Sequence, residues 1–131
     1  MANQDEEQKH RISSLRSTIE ETKLLPTPAG LGGEGSQFGS SVSIDGNRAA
    51  VGAPQMAEAG AVIIFEHDGT SWNELAILKS DENSGNDHFG DAVSLQGDRL
   101  LIGAPRDSLS GNNSGSVYVF DFNGQTWEQT S

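Results

Sequence analysis

The sequence predicts an all-β chain: two four-stranded antiparallel blades of propeller type, preceded by an N-terminal helix. Three observations carry this. The 131 residues include 16 glycines and only 34% hydrophobic residues, a composition suited to many short strands joined by turns rather than to a helical bundle. The stretch QFGSSVSIDGNRAAVGAP, from Gln37 to Pro54, returns from His88 to Pro105 as HFGDAVSLQGDRLLIGAP. Each copy also divides into four short apolar runs separated by Gly, Asp and Asn, so a unit of about 50 residues repeats, as blades do.

The bounds on function come from charge and from missing residue types. Nineteen acidic against eight basic residues give a net charge of −11. Binding to phosphate needs clustered Lys and Arg, so the charge argues against nucleic acid and anionic membranes as partners. The charge reads as a solvated, repulsive surface, with attraction of cations as the alternative. Without cysteine there are no disulfides, thiolate metal sites or cysteine nucleophiles. No apolar run reaches the roughly 18 residues of a membrane span, and residues 1–25 contain no apolar core of a secretory signal.

Residues 1–25 are expected to form the helix. From Asn3 to Leu25 there is no Gly or Pro, and Ile12, Leu15 and Ile19 recur at spacings of three and four. So thin a stripe needs something to lean on, which suggests a docking or linker helix, with a short coiled coil as the alternative. Pro26 and Pro28 end it, and residues 26–36 form a Pro/Gly linker. Within the linker, Gly30-Leu31-Gly32-Gly33-Glu34-Gly35 formally matches the dinucleotide pattern GxGxxG. That pattern must follow a strand and open a helix, and here the order is reversed, so it is rejected.

The first repeat spans residues 37–87, with strands over 40–44, 48–51, 61–65 and 72–78 and a tight turn at Asp45-Gly46-Asn47. The second spans residues 88–131, with strands over 92–95, 100–102, 116–120 and from Thr126 onward. The copies are offset by 51 positions, which pairs Phe38 with Phe89, Gly39 with Gly90, Arg48 with Arg99 and Gly52 with Gly103. After the loop at residues 106–114 the offset becomes 55, pairing Gly60 with Gly115, Val62 with Val117 and Trp72 with Trp127. A surface loop absorbs such an insertion at little cost.

The pairs Phe38-Gly39…Gly52-Ala53-Pro54 and Phe89-Gly90…Gly103-Ala104-Pro105 resemble the FG-GAP repeat, in its bacterial form, over residues 37–131. The resemblance implies the β-propeller architecture of integrin α heads, an extracellular or cell-surface setting, and adhesion through protein or carbohydrate contacts. It also implies calcium loops, but only short turns at Asp45-Gly46-Asn47 and Gln96-Gly97-Asp98 stand at that position. Such turns cannot wrap the six to eight oxygens that calcium wants. Asp81, Asn83 and Asp87 alternate as ligands do but lack a following bidentate glutamate, so their loop is read as a blade connection, with calcium the lesser alternative.

Propellers usually have four to eight blades, and two are present, the second ending before a counterpart of Ile77-Leu78-Lys79. Lys23-Leu24-Leu25 resembles that missing strand end. The chain is expected either to be part of a longer propeller or to close one by homo-oligomerising. His10, His67 and His88 are far apart and show no ligand spacing, and no Gly-x-Ser-x-Gly elbow occurs. No catalytic, cofactor or metal residue is assigned, and no cofactor is expected. Trp72 and Trp127 are read as blade packing, with a ligand platform as the alternative. Asn112-Asn113-Ser114 is a glycosylation sequon. The first functional reading is a non-enzymatic binding or adhesion module. The alternatives are an accessory part of a larger secreted hydrolase and a structural unit that assembles into rings.

Overall fold

The computed structural model describes residues 21–26, 35–81, 85–108 and 111–131. Eight strands form two sheets. The first contains β1 (Ser41–Asp45), β2 (Arg48–Ala53), β3 (Ala61–His67) and β4 (Trp72–Leu78). The second contains β5 (Ala92–Gln96), β6 (Arg99–Ala104), β7 (Ser116–Phe122) and β8 (Trp127–Gln129). In each, sequential strands lie side by side and antiparallel, in the order β1-β2-β3-β4 and β5-β6-β7-β8.

Local chemistry explains the hairpins. Gly46 and Gly97 open the β1–β2 and β5–β6 turns at φ 58° and 56°, the positive value that a two-residue hairpin of type II′ requires. At the outer hairpins a side chain imitates a turn. The Asp68 carboxylate accepts from Thr70 and Ser71 N–H at 2.8 and 2.9 Å. In the second sheet Asn123 Oδ1 accepts from Gln125 and Thr126 N–H, both at 2.9 Å.

Both faces of the first sheet are apolar, as a stacked sheet demands. One face, with Ala50, Val62, Ile64 and Leu78, meets Leu95, Leu100, Ile102, Tyr118, Phe120 and Trp127 of the second sheet around the fully buried Phe89. The opposite face gathers Ala49, Val51, Ala53, Ile63 and Phe65, with Phe38, Trp72 and Leu24 packed against them.

The sheets support the blade expectation and overturn the helix. Residues 21–26 are not helical, and no helix occurs among the described residues; the rest of the expected helix, residues 1–20, lies outside them. Two forces act against helix at Leu24 and Leu25. Pro26 disfavours the α conformation in the residue before it. Leu24 also buries its side chain against the first blade, a gain that a thin apolar stripe does not match.

Blade stacking depends on a backbone-to-backbone approach. Phe89 N–H donates to Ala59 O at 2.9 Å, and Phe89 bridges Gly60 in parallel. A Cβ on Gly60 would lie 2.1 Å from Phe89 O, and one on Gly52 would lie 1.9 Å from Gly90 O. Gly52→Ala is therefore expected to destabilise the chain by about 1–3 kcal/mol. The check is a urea midpoint that falls with an unchanged slope.

Candidate functional site

The inner strand of the first blade carries polar side chains at alternate positions, and these stitch it to the second. Ser41 Oγ donates to Gly90 O at 2.7 Å. Ser43 Oγ accepts from Leu95 N–H at 3.0 Å, and Asp45 Oδ2 from Gly97 N–H at 2.6 Å. Because strand side chains alternate between faces, the three residues lie on one face, toward the neighbouring blade. The apolar Val42 and Ile44 take the other.

Arg48 completes this seam. Its guanidinium donates to Asp98 Oδ1 at 2.6 Å, to Gly97 O at 3.1 Å and to Glu66 at 3.4 Å. The same group lies 4.5 Å over the Phe122 ring and 5.4 Å from that of Trp127. The hydrogen bond it donates to Asp98 holds its pKa above the usual arginine value, with burial opposing and Glu66 assisting. At the other end of the seam the Gln55 amide contacts the His88 ring at 2.7 Å, with the amide N–H donating.

The second blade presents the same surface uncovered. Ala92, Ser94, Gln96 and Arg99 stand where Ser41, Ser43, Asp45 and Arg48 stand in the first, and all four are exposed. Arg99 pairs with Asp121 at 2.8 Å, the counterpart of the bond from Arg48 to Glu66. Leu101 and Val117 are 41% and 64% exposed, whereas Ala50 and Val62 at those positions are fully buried. Beside them lies a cavity of about 470 Å³ lined by Asp91, Gly103, Pro105, Gly115, Ser116 and Val117. On the first blade this ground is occupied by Phe89 and Gly90.

The residues weighed from sequence do not converge. His67 stacks edge-on against Trp72 at 5.2 Å, His88 belongs to the seam, and His10 lies outside the described residues. Asp81 is exposed, Asp87 is buried, and Asn83 lies outside the described residues. Among the described residues no group of three or more His, Asp or Glu could hold a metal. Trp127 is buried between the blades and Trp72 is half-buried against the other cluster of the first. The seam side chains escaped the sequence reading, although Ser41, Ser43 and Asp45 recur with period two on a strand whose other residues are apolar.

A family model described as FG-GAP repeat matches residues 20–65 and 72–120. The chain belongs to the FG-GAP repeat family. No curated protein gives a significant match. The second FG-GAP match begins in β4, runs through Phe89-Gly90 and Gly103-Ala104-Pro105, and ends in β7. The first begins just before Leu24 and ends in β3. Leu24 therefore stands toward the first blade as the end of β4 stands toward the second.

Two expectations follow. Arg48→Ala should cost about 1–2 kcal/mol, because it removes a charge-assisted interblade bond and a cation–π contact. Arg99→Ala, at an exposed pair within the chain, should stay within about 0.5 kcal/mol for the single chain at high dilution, so urea midpoints measured there should separate two equivalent arginines. Backbone N–H groups of Ser71 and Thr70, with the Asn73 amide, hold the Asp68 carboxyl below its ordinary value. Arg99 and Thr130 do the same for Asp121. A depressed folded value gives stability that is present above the ordinary carboxylate range and lost on acidification. The thermal midpoint should fall as pH drops below about 4, and Asp68→Asn should flatten that decline.

Proposed function

We propose that the chain is a non-enzymatic binding module whose blades contribute to a β-propeller and whose loops contact protein or carbohydrate partners at an extracellular or cell surface. The observation that carries this reading is the division of labour between faces and loops. Sheet faces and the inner strand serve blade packing, which leaves the connections between strands for recognition.

The connection after β6 differs most between the repeats. It is four residues longer than its counterpart after β2, and residues 111–114 are exposed. Its base is held differently. Where the first blade buries Met56 beside Ile63, the second buries Asp107, whose carboxylate accepts a hydrogen bond from the Tyr118 hydroxyl. Asp107 also accepts from Gly115 N–H through its carbonyl at 2.8 Å. A rigid base under an exposed, longer loop suits a contact surface.

The test is interferometry of the immobilised chain against a panel of defined glycans and a panel of extracellular matrix proteins. Saturable binding to a member of either panel is expected. Replacing residues 106–114 by the shorter connection of the first blade should weaken it at least tenfold. Failure to bind any member, or turnover of ester or glycoside substrates by the purified chain, would count against the proposal.

A further inference from the structure

We infer that the cavity on the second blade is a socket for the Phe38-Gly39 segment of a second copy of this chain, so that copies associate head to tail. The inference rests on reading the chain as propeller blades and names the partner that continues them.

The first argument is the internal template. On the first blade the ground around Gly52 and Gly60 receives Phe89 and Gly90, and the cavity around Gly103 and Gly115 is its repeat-equivalent. Gly103 is the informative residue. The nearest atoms a Cβ there would meet all belong to Ala92, the closest its Cβ at 3.4 Å, and its φ lies outside the left-handed region. Nothing within the described chain demands glycine at this place. An incoming Phe-Gly segment does, because its carbonyl would lie where that of Gly90 lies over Gly52.

The second argument is the matching plug. Gln37 and Gly39 adopt φ 59° and 96°, against 60° and 95° for His88 and Gly90, so the segment is already shaped for the socket. Around Gly39 there is open space, whereas a Cβ on Gly90 would lie 2.5 Å from Ala61 O. The neighbouring inner strand leaves Val42 and Ile44 at 70% and 65% exposure, while Leu95, the counterpart of Ile44, is 7% exposed between the blades. One end of the molecule thus carries an uncovered plug and the other an uncovered socket.

The third argument is polar register. In the covered seam Ser43 and Asp45 accept from Leu95 and Gly97 N–H. Ser94 and Gln96 hold the same positions on the open blade and would accept from Ile44 and Gly46 N–H of the second copy. Arg99, already oriented by Asp121, would reach the Gly46-Asn47 turn as Arg48 reaches Gly97-Asp98. Such an interface is heterologous. Closed rings would hold two to four copies, to match the roughly four to eight blades of propellers.

Sedimentation velocity over a concentration series tests this with the full chain and two variants. Wild type should form a discrete oligomer of two to four copies. Gly103→Ala should be monomeric, with the thermal midpoint that the wild type shows when dissociated at high dilution, because its Cβ has room within the chain but blocks the socket. Val42→Lys with Ile44→Lys should also be monomeric. An equimolar mixture of the variants should form a 1:1 heterodimer and nothing larger, since one intact plug meets one intact socket. If Gly103→Ala lowers the midpoint, Leu101→Glu with Val117→Lys replaces it, both positions being exposed.

A monomeric wild type, an assembly or aggregate indifferent to the socket lesion, or variants that fail to pair would overturn the inference. A monomer that still binds a glycan or matrix protein would remove the socket and leave the binding module standing. Loss of both would remove both.

Discussion

The architecture turns on the approach of one backbone to another. Phe89 and Gly90 lie against Gly52 and Gly60 so closely that side chains at those glycines would fall within about 2 Å of a carbonyl oxygen. This contact sets how near the two sheets come. Phe89 can then sink fully between them and meet Tyr118 and Phe120 edge-on, at ring separations of 5.4 and 6.0 Å. It also brings β5 within reach of Ser41, Ser43 and Asp45. The apolar core and the polar seam are thus two consequences of the same steric permission.

The repeats preserve this geometry while changing the chemistry around it. The Gly60 and Gly115 N–H groups bond to the carbonyls of Met56 and Asp107 respectively, each at 2.8 Å, although one residue is apolar and the other acidic. Likewise Gln55 and Arg106 N–H bond to the carbonyls of Ser36 and Asp87, each at 3.1 Å. The backbone carries the shape, and the side chains are then free to differ. Burial of Asp107 is tolerated because the Tyr118 hydroxyl supplies the partner that a buried carboxylate needs.

Much of the fold was legible because a blade is written by local signals. Glycine at the hairpins, the return of Phe-Gly and Gly-Ala-Pro, and alternating apolar runs placed all eight strands to within a few residues. The expected helix rested on Ile12, Leu15 and Ile19, which lie outside the described residues, and it fails at residues 21–26, where Leu24 packs on the first sheet and the sequence held no sign of that partner. The seam was less legible. Arg48 and Arg99 are the same residue at equivalent positions, each with an acidic neighbour across the sheet, Glu66 and Asp121 respectively. Only the stacking decides that one lies over Phe122 and Trp127 while the other faces outward. Side chains that act between blades depend on a rigid-body relation that periodicity along one chain does not encode.

That asymmetry is the instructive part. Equivalent residues in two blades of one chain share a sequence logic but not an environment, so differences between them measure what a neighbouring blade contributes. Val62 is covered and Val117 is not; Leu95 is covered and Ile44 is not. An apolar residue at an uncovered position, and a glycine with room for a side chain, carry the imprint of a contact made elsewhere in the same chain. The two ends of this molecule are therefore complementary for a definite reason. Each is one half of the interface that its own blades already form in the middle.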